Sequence, residues 1–260
     1  MDIHRHNAAA WNAESDSGDS PWCQPVSAEL IAAARRGDWS VILTPNKAVP
    51  RDWFGRIEGA RVLCLAGSGG QQAPVLAAAG ADVTVLDISA SQLAKDVFVA
   101  ERDGLKLTVI EADMTRLSDH VSGAFDLIFH PVSNLFIADL MPVWRQCGAV
   151  LKPGGRLLSG FVNPDFWLFD HDELDAGGPL QVRHRLPFNA ARDLPDEKVQ
   201  ARISQREALE FSHSLETQIG GQIEAGLLIA GFYQDDWSDA ATPLNAYMPT
   251  SFATLAVKPG

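Results

Sequence analysis

The sequence predicts an α/β protein: a seven-stranded, mostly parallel sheet with helices on both faces, an N-terminal helical lid, and an insertion after the fifth strand. Three observations predict it. From Arg61 onward, short apolar runs alternate with helix-period segments, the pattern of right-handed βαβ crossovers. The first of these runs ends in a glycine-rich loop. The composition is 46% hydrophobic and 21% charged over 260 residues. Such a chain buries roughly three quarters of its unfolded surface and needs neither disulfides nor a structural metal.

Residues 1–57 read as a preface to the main domain, 58–260. His6 to Glu14 reads as a short helix carrying Trp11 on one face, and the polar run Glu14 to Pro21 as a loop. Ser27 to Arg36 reads as a second helix, N-capped by Ser27 and stopped by Gly37. Pro45 and Pro50 make a long helix over Trp39 to Phe54 unfavourable, so an irregular segment is expected.

Arg61 to Ala66 reads as a strand buried on both faces. A helix over Gln71 to Ala79 ends at Gly80, and a second strand covers Asp82 to Asp87. Ser89, with Gln92 three residues on, has capping-box spacing for a helix to Asp103. Strands follow at Leu105 to Glu111 and Phe125 to His130. A long helix is expected over Asn134 to Leu151, disturbed at Pro142, then a turn at Lys152 to Gly155 and a fifth strand to Val162. Residues 163–210, rich in Asp, Pro and His, break the rhythm and read as an insertion over the sheet. Ser214 to Ala225 reads as a helix, and Leu227 to Gln234 and Phe252 to Val257 as the last two strands.

Charge and cysteines narrow the function classes. Lys plus Arg is 21 and Asp plus Glu is 33, a net charge of −12. That field does not draw in nucleic acid or an anionic membrane. Cys23, Cys64 and Cys147 are odd in number, widely spaced and form no C-x-x-C pair, which points to a reducing, cytoplasmic setting. The first residues have no apolar signal-peptide core, and no apolar stretch approaches the ~20 residues that span a bilayer. His4-x-His6 and His171 beside Asp170, Asp172 and Glu173 are weak metal patterns, and no metal is expected.

The loop Ala66-Gly67-Ser68-Gly69-Gly70-Gln71-Gln72 carries the chemistry. Its glycines let the backbone turn sharply and approach a ligand, and the next helix presents its N-terminal amides there. Asp87 ends the second strand 20 residues after Gly67, where a carboxylate can accept from both hydroxyls of an adenosine ribose. The loop lacks the final Gly or Ala of G-x-G-x-x-G and the G-K-[ST] of a P-loop. A smaller adenosine-containing ligand suits it better than a pyrophosphate.

With the loop, four further pieces appear in order: Val83 to Ser89, Glu111-Ala112-Asp113-Met114, Phe125 to Phe129, and Val150 to Gly155. Over residues 58–257 the chain resembles the class I S-adenosylmethionine-dependent methyltransferases, with their Rossmann-like sheet. It departs from their common loop: Cys64 stands where an acidic residue is usual, and Ala66 and Ser68 stand at the first two glycine places. The resemblance implies S-adenosyl-L-methionine as cofactor, held by Ala66 to Gln72, with Asp87 on the ribose and Ile88 against the adenine. It also implies Asp113 on the adenine amino group, Met114 against the ring and His130 on the donor-methyl side.

His130, held extended by Pro131, is the candidate base or acceptor-orienting group, and His213 a second candidate. Trp11, Trp22, Trp39 and Trp53 precede the loop and suggest a lid. Trp11, Trp39, Ser133 and Phe166 are expected to line the acceptor pocket. The expected partner is a small-molecule substrate, without nucleic acid or membrane, for a monomer or homodimer. His130-Pro131-Val132-Ser133 differs from the Asn/Asp-Pro-Pro-aromatic pattern of enzymes that methylate amide or base nitrogens. An NAD(P)-dependent oxidoreductase and a non-catalytic S-adenosylmethionine-binding protein are the alternatives.

Overall fold

The computed structural model describes residues 1–238 and 241–260. Along the chain run helices α1 (Ile3–Ser17) and α2 (Ala28–Arg35), strand β1 (Arg61–Leu65), α3 (Gln72–Ala78), β2 (Asp82–Asp87) and α4 (Ala90–Asp103). β3 (Leu107–Glu111), β4 (Phe125–His130), α5 (Met141–Val150), β5 (Leu151–Val162), β6 (Leu228–Asp235) and β7 (Ser251–Val257) complete the frame. The sheet has seven strands in the order β3-β2-β1-β4-β5-β7-β6. Only β7 runs antiparallel, to β5 on one side and β6 on the other.

The continuous apolar run of β1 has a simple cause. Val62 and Cys64 point into one core, under α2, α3 and α4, while Leu63 and Leu65 point into the other, under α5. A strand covered on both faces keeps no polar side. Chain order reverses between β1 and β4, so a crevice opens at their carboxyl ends.

Ser27 and Ser89 cap α2 and α4, accepting from the Leu30 and Gln92 amides. The irregular stretch between α2 and β1 contains a 3₁₀ turn, Arg51–Phe54, and packs with α2 into the first core. Helix α1 borders the crevice together with Trp22 and Ile42 to Pro45, whereas Trp39, Val41, Val49, Trp53 and Phe54 pack into the sheet's own core.

Three expected elements change. The helix over Asn134 to Leu151 is a 3₁₀ turn, Asn134–Phe136, followed by α5 from Met141. Pro142 sits in the first turn, where its missing N–H costs nothing, so it starts the helix and does not disturb it. Lys152 to Gly155 is a bulge inside β5: Phe125 pairs with Leu151, and Leu127 already with Arg156. Ser214 to Ala225 contains a π turn, Glu216–Gly220, before a short α-helical turn. There the Trp144 indole N–H donates to the Thr217 carbonyl at 3.0 Å and holds it out of the regular ladder.

The insertion builds its own apolar cluster, with Phe166, Trp167, Phe188, Val199 and Phe211 buried together. Phe211 N–H donates to the Leu135 carbonyl at 2.7 Å, tying the end of the insertion to the segment after β4.

Candidate active site

A cavity of about 240 Å³ lies at the carboxyl ends of β1, β2 and β4, beneath α1. One end is walled by Asp87, Ile88, Asp113 and Met114, and the other by Ser133, Phe136, Val162, Glu210 and Trp237. Ala66, Ser68, Gln71 and Gln72 lie along it between these ends in strand order.

The glycines of the loop are not on this wall. Gly69 N–H donates to Gln92 Oε1 at 2.7 Å, and Gly70 N–H to Asp96 Oδ1 at 2.9 Å. Gln92 and Asp96 are one turn apart on α4, so the helix grips two consecutive loop amides. A Cβ on Gly69 would lie 2.2 Å from the Gln92 carbonyl oxygen, so this position admits only glycine. Gly67, Gly69 and Gly70 therefore shape the loop from behind. Ala66 (φ 46°) and Ser68 (φ 63°) take the left-handed conformation and carry side chains to the cavity.

Asp87 ends β2 with 8% of its surface exposed; its Oδ1 accepts from Ser89 N–H at 2.8 Å. Among the described residues no cation pairs with it, and burial raises its pKa to about 6. Asp96, 3% exposed behind the loop, is pushed to about 8 by burial, with a further raising effect from Asp87. Asp113 caps the 3₁₀ turn Met114–Asp119 through Thr115 N–H, and its other oxygen pairs with His4 Nδ1 at 2.8 Å.

Helix α1 is tied to the rest of the chain at two points along its length. Asn7 donates to the Phe136 and Leu209 carbonyls and accepts from Leu209 N–H. Asn12 Oδ1 accepts from Ser89 Oγ at 2.8 Å and Ser91 N–H at 3.1 Å. Trp11 lines the cavity edge-on to Phe136, 5.0 Å between ring centroids. Gln71 donates to the Pro21 and Gln24 carbonyls, and Gln72 Oε1 accepts from Ile42 N–H. Both glutamines thus clasp the preceding chain as well as lining the cavity.

Four expected site residues lie elsewhere. His130 is fully buried behind the wall, its Nδ1 3.2 Å from the Leu65 carbonyl and 3.4 Å from Ser133 Oγ, its ring edge-on to Trp144. Burial lowers its pKa to about 4, so at neutral pH it is an uncharged core ring. The alternation of β4 turns it toward α5, and Pro131 and Ser133 face the cavity instead. His213 is buried with Nε2 on the Asn134 carbonyl at 3.2 Å, and burial holds its pKa low. Trp39 lies under the Arg51 guanidinium, 3.4 Å from the ring centroid, in the first core. Phe166 stacks on His171 at 3.7 Å inside the insertion.

Sequence reasoning missed His4 and Asn7 as wall residues, together with Thr44, Gln92, Glu210 and Trp237. Only Gln92 carried a usable sign, its capping-box spacing from Ser89; the others reach the cavity through long-range packing. Among the described residues no group of three metal-ligating side chains comes together, and no helix is long and apolar enough to cross a membrane.

The wall suits S-adenosylmethionine. A buried carboxylate without a counter-ion awaits hydroxyl donors, and Ile88 and Met114 offer apolar faces beside it. Comparisons with known proteins agree. Residues 63–159 match the family described as a methyltransferase domain. The uncharacterized methyltransferase YbaJ of Bacillus subtilis (strain 168) is 48% identical over 253 residues, 97% of each chain. The ubiquinone biosynthesis O-methyltransferase of Nitrosococcus oceani is 30% identical over 119 residues, 44% of this chain and 49% of that one.

Among solved structures, an S-adenosylmethionine-dependent methyltransferase from Mesorhizobium loti superposes with a TM-score of 0.58 at 19% identity, covering 80% of this chain and 95% of that one. The magnesium protoporphyrin IX methyltransferase of Synechocystis PCC 6803, with bound S-adenosylhomocysteine, gives 0.58 at 13% identity, covering 99% and 100%. These two show the shared fold. With the full-length kinship added, the chain belongs to the class I S-adenosylmethionine-dependent methyltransferases.

Proposed function

We propose that the cavity binds S-adenosylmethionine with its nucleoside over the ends of β2 and β3, and admits a small-molecule acceptor over the ends of β4 and β5. The observation that carries this is Asp87: a buried carboxylate, without a cationic partner among the described residues, on the wall of the cavity, next to Ile88 and in line with Asp113 and Met114. In this reading Asp87 holds the ribose hydroxyls. Ile88 and Met114 pack on the adenine. Asp113, shared with His4, meets its amino group and couples the lid to the ligand.

The cofactor, when bound, supplies an activated methyl group. The chain's own residues position the partners and exclude water: α1 and Trp11 close one side, and the segment after β4 closes another. The net charge of −12 supports a small-molecule acceptor over nucleic acid, and three free buried cysteines support a cytoplasmic setting.

Isothermal titration tests the reading. S-adenosylmethionine and S-adenosylhomocysteine should bind at one site per chain, and NADH should give no heat. Tight NADH binding without response to either sulfur nucleoside would reverse the assignment.

A further inference from the structure

We propose that Glu210 is the acceptor-binding carboxylate, and that the acceptor is a largely apolar small molecule presenting a hydroxyl or an amine rather than a carboxylate. The inference rests on the cofactor reading above, which leaves the far end of the cavity to the acceptor. That end is apolar, walled by Val132, Leu135, Phe136, Val162 and Trp237. Among the described residues Glu210 is its one charged group, and no Lys or Arg lines any part of the cavity. An anionic acceptor would find no partner there and would face a carboxylate. A hydroxyl or ammonium donor would find one.

Glu210 is held in place. Its carbonyl accepts from Ala190 N–H at 3.0 Å. The residue before it, Leu209, is clasped by the Asn7 amide, and the residue after it, Phe211, donates to Leu135. Oε2 accepts from the Trp167 indole N–H at 3.3 Å, while Oε1 meets no donor among the described residues. Arg202, the cation whose charge acts on this carboxylate, is committed to Asp172 at 3.0 Å and Glu207 at 3.5 Å. Burial raises the Glu210 pKa, which makes the carboxylate a better proton acceptor. The balance of the transfer is then complete. The acceptor's lone pair forms the bond to the methyl carbon, the carbon–sulfur bond breaks onto sulfur, and the acceptor's proton passes to Oε1.

The test uses the full chain saturated with S-adenosylhomocysteine and three probes of one shape: 4-propylphenol, 4-propylbenzylamine and 4-propylbenzoate, titrated calorimetrically. The phenol and the amine should bind at least tenfold more tightly than the benzoate. Glu210→Gln should weaken the amine at least tenfold and abolish the discrimination against benzoate, with S-adenosylhomocysteine affinity unchanged. Trp167→Phe, which keeps the carboxylate, should retain the preference for the amine. Equal discrimination in wild type and Glu210→Gln, a wild-type preference for benzoate, or binding of none of the three probes would overturn the proposal. Failure of the wild type to bind S-adenosylhomocysteine would instead overturn the cofactor reading beneath it.

Discussion

Gln92 accepts the Gly69 amide at 2.7 Å, so the helix after β2 holds the loop after β1. One turn on, Asp96 takes the Gly70 amide at 2.9 Å. These two loop amides are therefore satisfied by α4 without a ligand. Gln92→Leu leaves a buried N–H without a partner and should cost about 1–3 kcal/mol. Urea unfolding of the two proteins measures it, and an unchanged midpoint would show that the loop stands without the helix.

Asp96 gives the protein an acid-favoured stability. Its folded-state pKa, about 8, lies above the ordinary 3.8, so the folded state holds the proton more tightly. That stabilisation is complete below about pH 4 and is lost as pH rises through 8. Asp87, raised to about 6, acts in the same direction at lower pH. Asp96→Asn should be less stable than wild type in mild acid or indistinguishable from it, and more stable at pH 9. Thermal unfolding at both pH values is the check, and a wild type that outlasts the variant at pH 9 would contradict the burial argument.

His130 acts in the opposite direction. Its pKa is lowered from 6.5 to about 4, so its contribution is present above 6.5 and is lost as pH falls through 4. The gap corresponds to roughly 3 kcal/mol. His130→Leu should flatten the loss of stability over that window by a comparable amount. Because His130 lies behind the wall, the variant should keep its affinity for S-adenosylhomocysteine within a few-fold. A large loss of affinity with an unchanged pH profile would return the ring to the site.

Asp87→Ala should weaken binding of S-adenosylhomocysteine by about 1.5–3 kcal/mol, the range for hydrogen bonds to a charged group. Removing a buried, unpaired carboxylate also relieves a desolvation cost, so the empty variant should not be less stable than wild type at pH 8. Calorimetry and thermal unfolding read the two effects separately. Unchanged affinity would remove the carboxylate from the ribose.

The cavity end at Asp87 and Asp113 was legible in the residues because it is built from short segments at strand ends. Ala66 to Gln72, Asp87-Ile88 and Asp113-Met114 each follow a strand visible from its apolar run. Eight of those residues line the cavity, and Gly67, Gly69 and Gly70 stand just behind them. The acceptor end was not legible in this way. His130 was placed at the right strand end, but strand periodicity alone left open which face it would take. Trp39 and Phe166 carry the same aromatic character as Trp11 and Trp237, and only packing sorts core from wall.

Composition, periodicity and the loop-plus-acid spacing determined the sheet, its mostly parallel sense and the strand ends that wall the cavity, because these depend on short segments of the βαβ units. Tertiary structure alone decided which side chains complete the cavity. Glu210 comes to it from the end of the insertion and Asn7 from the first helix, and the two meet through Leu209, 202 residues from Asn7. Contacts across such a distance in the chain leave no local pattern, since what places them is the packing of whole layers rather than the preference of any short segment.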